Sequence, residues 1–117
     1  MKVRLLGFGS IEVNGRNYGH DIVIDGGRVR KRSKKPSKRF RDEFGHTPLS
    51  ADEELPWGGR RLIIGTGAYG SLPIMPELVQ EAARRDVGLT AIPTQDACRL
   101  IASLDALEVH AVLHVTC

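Results

Sequence analysis

A chain of 117 residues, 41% hydrophobic and 26% charged, has room for one small domain whose core needs neither disulfide nor structural metal. Its net charge of +3 conceals a division: Arg28 to Arg41 holds nine Lys/Arg and no Asp/Glu, leaving eight basic against fourteen acidic residues elsewhere. No apolar run approaches the roughly 20 residues of a membrane span, MKVRLLGFGS is broken by glycine too early for a signal peptide, and two cysteines make no disulfide framework.

The first third is written in strand language. Ser10–Val13 alternates, Asn14-Gly15 is a two-residue hairpin signal, and Asp21–Ile24 is β-branched and apolar. Gly26-Gly27 turns the chain into Arg28–Arg32, whose barely apolar period-two pattern predicts an exposed edge strand. Ser33 to Phe44 dissolves into Ser, Lys and Pro, which predicts a mobile loop. Ser50-Ala51-Asp52-Glu53 matches a capping box and predicts a short helix stopped by Pro56. Arg61–Gly65 reads as a buried strand, Pro76–Arg85 as a helix started by proline, and Leu89–Ile92 as a second buried strand. Thr94 is placed to cap a second helix with Ala97, Leu100, Ile101 and Leu104 on one face, and Val109–Val115 closes the chain as a strand. Alternating strands and helices argue for a largely parallel α/β sheet.

Taken together, FGSIEVNG, DIVIDGG with RKRSKKPSK, GHTPLS, LIIGTG, PTQDA and VHAVLHVTC resemble the Mth-domain family. The resemblance implies a three-layer α/β fold with a mixed central sheet and an additional antiparallel β layer from the amino-terminal strands. It implies no settled enzymatic activity. The expected organisation is a single domain over residues 1–117, β-rich over 1–44 and α/β over 45–117.

The most site-like stretch is Gly65-Thr66-Gly67-Ala68-Tyr69-Gly70-Ser71, which follows a buried strand and so lies at the carboxyl edge of the sheet, where ligands gather. Its glycines let backbone N–H groups approach an anion, and Thr66 and Ser71 add hydroxyls. It is neither a Walker A loop nor a dinucleotide fingerprint; a glycine-rich turn that needs positive φ is the plainer reading. The basic segment is read as a solvated edge and loop, as a surface for a small anion or acidic partner, or as a nucleic-acid surface with Phe40 or Phe44 for stacking. His110 and His114 share a strand face but stand about 13 Å apart at ~3.3 Å per residue, too far for one metal ion. On the same extended strand Cys117 faces away from His114. His46, in the GHTP loop, is the histidine best placed for proton transfer, although a turn histidine bound by backbone is the plainer reading.

These readings predict a soluble, cytoplasmic, non-enzymatic binding or adaptor protein, monomeric or weakly dimeric, whose partner is a protein or a small anion. The anion site comprises Gly65, Thr66, Gly67 and Ser71, with His46, Arg32 and Lys34 beside them. No catalytic set, metal or cofactor is assigned. The alternative is an enzyme acting on a small anionic substrate, with His46 as acid/base; nucleic-acid binding is a third reading. The deciding question is whether Arg28–Arg41 closes over the glycine loop or only keeps an open edge solvated.

Overall fold

Two-residue turns organise the amino-terminal third. In the computed structural model, which describes residues 1–117, Asn14-Gly15 and Gly26-Gly27 all adopt positive φ, the conformation that tight hairpins require. The first turn joins β2 (Ser10–Val13) to β3 (Arg16–Tyr18), and β1 (Val3–Gly7) pairs with the other side of β2. The second joins β4 (Ile22–Asp25) to β5 (Arg28–Lys31). The remaining strands are β6 (Arg61–Gly65), β7 (Gly88–Ile92) and β8 (His110–Leu113), and the helices are α1 (Arg41–Phe44), α2 (Pro76–Arg84) and α3 (Thr94–Ala102).

The strands form a three-stranded antiparallel sheet, β1-β2-β3, and a five-stranded sheet in the order β5-β4-β8-β6-β7. The larger sheet is mixed: β4 is antiparallel to both β5 and β8, whereas β6 is parallel to β7 and β8. The largely parallel sheet expected from strand and helix alternation is therefore half right. Parallel pairing follows the helical crossovers, and antiparallel pairing follows the hairpin that supplies β4 and β5.

Both faces of the central strands are buried, so their alternation sorts side chains between two cores. Ile22, Ile24, Ile63, Ala111 and Leu113 face a core shared with Val3, Ile11 and Val13 of the small sheet and with Ala97, Cys98 and Ile101 of α3. Val23, Leu62, Ile64 and Val112 face the other core, where Leu78 of α2, Leu49 and Leu72 cover them. Burying a side chain such as Leu78 contributes about 1.5–3 kcal/mol relative to leaving it exposed. The result is the three-layer α/β arrangement with an additional β layer.

Four local expectations are corrected. Ser33–Phe44 is no open loop: Lys35–Phe40 forms 3-10 turns that run directly into α1. Its anchor is Ser37, fully buried and bonded to Ser50 Oγ at 2.7 Å. No helix forms over 50–56; Glu53 leaves the capping role because its carboxylate is claimed by Arg32 and Ser37. β7 is an edge strand without a fully buried residue, since nothing pairs beyond it. Thr94 caps no helix: its hydroxyl accepts the Gly67 N–H at 2.9 Å and donates to the His114 carbonyl at 2.6 Å, tying α3 to the ends of β6 and β8.

Candidate functional site: a basic cleft at one sheet edge

Topology gathers one edge of the large sheet into a site. The parallel strands β6 and β8 end there, at Gly65 and Leu113, and antiparallel β4 begins there. Because Ile22 pairs with both Leu113 and Lys31, the residues just beyond them, Asp21, His114 and Arg32, come together.

Asp21 is the hub. Its Oδ2 accepts from Arg32 Nη1 at 2.9 Å and from His114 Nδ1 at 2.8 Å, and its Oδ1 accepts the Val115 N–H at 2.9 Å. Lys34 Nζ stands 3.7 Å from the same Oδ2. Arg32 then spans to Glu53, with Nε and Nη2 each donating at 2.8 Å, and Nη2 also donates to the Pro48 carbonyl at 3.0 Å. The side chains of Arg32, Asp21 and Glu53 are only 1–2% exposed, so screening by water is slight. Burial alone would raise the Asp21 carboxyl, but the His114 bond and charge, the Val115 amide and Lys34 hold it well below the usual carboxylate range. Burial likewise opposes the Arg32 charge, and Glu53 followed by Asp21 more than restores it.

In front of this network lies a cleft of about 370 Å³. It is lined by Lys34, Lys38 and Arg41 of the basic segment together with His46, Thr47, Ser71, His114, Thr116 and Cys117. No Asp or Glu lines it, and neither Lys38 nor Arg41 has a carboxylate within 4.0 Å. A second cavity of about 640 Å³ adjoins it, sharing Lys34, Lys38 and Thr116. At the back, the ionised Asp21 can only accept, so the His114 ring in its neutral form carries its proton on Nδ1. Its Nε2 lone pair then faces Thr116 Oγ1 at 3.1 Å, and the hydroxyl donates.

The structure brings together three of the seven residues singled out by sequence. Lys34, Ser71 and His46 line the cleft, whereas Arg32 is consumed by its two carboxylates and reaches only the adjoining cavity. Gly65, Thr66 and Gly67 lie behind the site, all buried. Their loop's amides are engaged: Gly67 N–H with Thr94, Ala68 N–H with the Thr116 carbonyl, and Tyr69 and Ser71 N–H with the Cys117 backbone oxygen. The loop thus holds residues 116–117 in place. His46 is exposed at the mouth of the cleft, with its ring open to solvent rather than bound into its turn.

Sequence reasoning missed Asp21, His114 and Thr116 as a set. The signal was available in DIVID and VLHVT, since pairing those two predicted strands antiparallel sets Asp21 beside His114. It also placed Cys117 on the face opposite His114. Regular β8 ends at Leu113, so that alternation lapses and both line the cleft.

The two thiols differ. Cys98 is packed between α3 and the small sheet, and burial pushes its thiol up to about 11 despite backbone hydrogen bonds that lower it. Cys117 is half-exposed. At pH 8 the native protein is expected to give one equivalent of fast reaction with Ellman's reagent, and two after denaturation. Fast reaction of both native thiols, or loss of the fast phase in Cys98→Ala rather than Cys117→Ala, contradicts this assignment.

At the opposite edge, a cavity of about 580 Å³ lies against Gly59, Arg60, Arg61 and His110. The His110 ring fits there because Gly59 has no side chain: an added Cβ would stand 2.7 Å from it. Glu108 joins the arginines in that lining, so its charge is mixed, unlike the cleft.

Comparisons with known proteins follow the fold. A family model described as "Protein of unknown function (DUF498/DUF598)" matches residues 3–113. The conserved hypothetical protein PH1505 from Pyrococcus horikoshii OT3 is 29% identical, with a TM-score of 0.77 and 100% of both chains covered. MT938 is 25% identical, with a TM-score of 0.69, over 98% of this chain and 97% of that one. A Bordetella pertussis protein described as a Mth938-like domain is 23% identical with a TM-score of 0.59, over 97% of this chain and 85% of that one. No functionally curated protein matches. With the family match spanning residues 3–113 and these folds superposing along the whole chain, the protein belongs to the DUF498/DUF598 family of unknown function and has the Mth-like fold that its motifs resemble.

Proposed function

We propose that the protein binds a small, multiply charged anion in the cleft between the basic segment and residues 114–117. The observation that carries this reading is the lining itself: Lys34, Lys38 and Arg41 share it with the hydroxyls of Ser71 and Thr116, and no Asp or Glu side chain is among them. Cations supply attraction, and hydroxyls supply donors that fix orientation. The anion contacts would come from side chains, because the glycine-loop amides are already paired.

The same segment favours a small ligand over nucleic acid. Of its nine cations, Arg32 is buried between two carboxylates, Arg39 pairs with Asp52, and Arg30 donates to the Glu54 carbonyl at 2.6 Å. Phe40, a candidate for base stacking, is covered by the Arg39 guanidinium 4.6 Å from its ring centre. Of the six that remain, Lys34, Lys38 and Arg41 line the cleft, and Lys31 and Lys35 line the adjoining cavity.

Isothermal titration with inorganic phosphate tests the reading. Saturable binding at one site is expected, weakening as salt is added. Lys38→Ala and Arg41→Ala should each weaken it by about fivefold to tenfold, which corresponds to about 1–1.4 kcal/mol. Arg60→Ala, at the opposite edge, should leave it unchanged. Equal effects from all three substitutions would mean nonspecific attraction, and absence of binding at low salt would remove the reading.

A further inference from the structure

We propose that Thr116 is a nucleophile that takes the acyl group of a small acyl phosphate held in the cleft, an inference that rests on the anion-binding reading. Three features meet at its hydroxyl oxygen. Thr116 Oγ1 lies 3.1 Å from His114 Nε2, and the far side of that ring donates to Asp21 at 2.8 Å. This is a carboxylate, imidazole and hydroxyl in series, the order that activates a hydroxyl in serine hydrolases and that is recognised by geometry rather than by chain position. Thr116 also lines both cavities, so the oxygen is accessible to a ligand, and Lys34 and Lys38 line the same two.

The series is held rigidly. Asp21 precedes β4 and is fixed by the Val115 N–H and Arg32; His114 follows β8, and its carbonyl accepts from buried Thr94. A hydroxyl that only terminated a strand would need none of this support behind its histidine. An acyl phosphate matches the cleft in both parts: its phosphate suits Lys34, Lys38 and Arg41, and its acyl carbon is the electrophile for Thr116.

The step balances without oxidant or reductant. Oγ1 attacks the acyl carbon and its proton passes to His114 Nε2, forming an ester C–O bond. The bond from the acyl carbon to the bridging oxygen breaks, and that oxygen leaves on phosphate with the electron pair. His114 returns the proton to the departing phosphate, leaving an acyl ester on Thr116 and inorganic phosphate. The lysines neutralise charge on the leaving group, as cationic clamps do in phosphoryl chemistry.

The test incubates the full chain with acetyl phosphate and maps acetylated peptides by mass spectrometry. One acetyl group on Thr116 is expected, removed by alkaline hydroxylamine as esters are, whereas acetyl-lysine persists. It should survive Cys117→Ala, move to the new hydroxyl in Thr116→Ser, and vanish in Thr116→Val. His114→Asn keeps a donor toward Asp21 but loses the base, and should slow ester formation at least about a hundredfold, the low end of general-base catalysis. Acetylation confined to lysines or Cys117, or an ester rate unchanged in His114→Asn, overturns the proposal. Phosphate binding without ester formation ends it while leaving the anion-binding reading intact. A Thr116 ester that excess inorganic phosphate fails to suppress upholds the nucleophile and removes the anion reading instead.

Discussion

Arg32→Ala is expected to destabilise the protein by about 3–5 kcal/mol, the range for removing one partner of a buried ion pair. Arg32 is the cation for two carboxylates, Asp21 and Glu53, and all three side chains are almost fully enclosed. Alanine removes four donated hydrogen bonds at once and leaves both acids without their guanidinium. Such a loss is a large part of the roughly 5–15 kcal/mol by which a domain is stable. Urea unfolding at pH 7 measures it, and a loss under about 1 kcal/mol would place this network in the surface class.

The pH dependence carries a sign. The folded Asp21 carboxyl lies below its unfolded value, so its contribution is fully present above about pH 4 and is lost as pH falls through the folded value. Wild-type stability should therefore decline in acid. The gap to Arg32→Ala should narrow as pH falls, because protonation relieves the Asp21 carboxylate that the variant strands. A gap that stays constant from pH 7 to pH 3 would contradict this origin.

Gly67→Ala is expected to be the most damaging glycine substitution. Gly67 has φ of +108°, and an added Cβ would stand 2.2 Å from the Cys117 carbonyl carbon and 2.8 Å from the Thr116 oxygen. Those neighbours are backbone, so no rotamer change relieves the clash. Gly15 is the natural comparison, with φ of +87° and nothing within 4 Å of an added Cβ. Gly15→Ala should cost only the backbone strain, of order 1–3 kcal/mol. Gly67→Ala should exceed it, because residues 116–117 must leave the loop amides at 68, 69 and 71 that they satisfy. Phosphate binding should also fall in any folded Gly67→Ala protein, since Thr116 and Ser71 no longer face the lysines. Equal costs for the two substitutions would show that the loop and residues 114–117 are not locked together.

Much of the fold was legible because it rests on local chemistry. Alternation in Ser10–Val13, the apolar runs Asp21–Ile24 and Arg61–Gly65, the two turn dipeptides and the proline at the start of α2 each specify an element within a few residues. The basic edge strand was readable for the same reason. Failures came where a distant partner outbid a local preference. Glu53 had the spacing of a capping residue, but Arg32, 21 positions away, holds its carboxylate. Thr94 had a capping hydroxyl, but Gly67 and His114 engage it. Ser37 sat in a stretch without pattern, and its burial against Ser50 and Glu53 orders that stretch.

The site followed the same division. The loop after β6 was correctly placed at the carboxyl edge, and Lys34, Ser71 and His46 do share a cleft. The loop's backbone suits a plain turn or an anion cradle, and nothing local reveals that Thr116 and Cys117 occupy its amides. Asp21 and His114 are 93 residues apart, and only the antiparallel pairing of β4 with β8 joins them. Gly65, Thr66 and Gly67 do not line the cleft, so the basic segment meets Ser71 of that loop rather than its glycines. Lys34, Lys38 and Arg41 line the cleft, and Glu53 bonds Arg32 and Ser37 of the same segment.

The most direct test of this account is a crystal of the protein soaked in selenate, a tetrahedral dianion whose position is read from anomalous scattering. A peak is expected among Lys34, Lys38, Arg41, Ser71 and Thr116, and it should be lost in Lys38→Ala. A cleft without selenate, in crystals where a peak stands beside Arg60 and Arg61 instead, would contradict it.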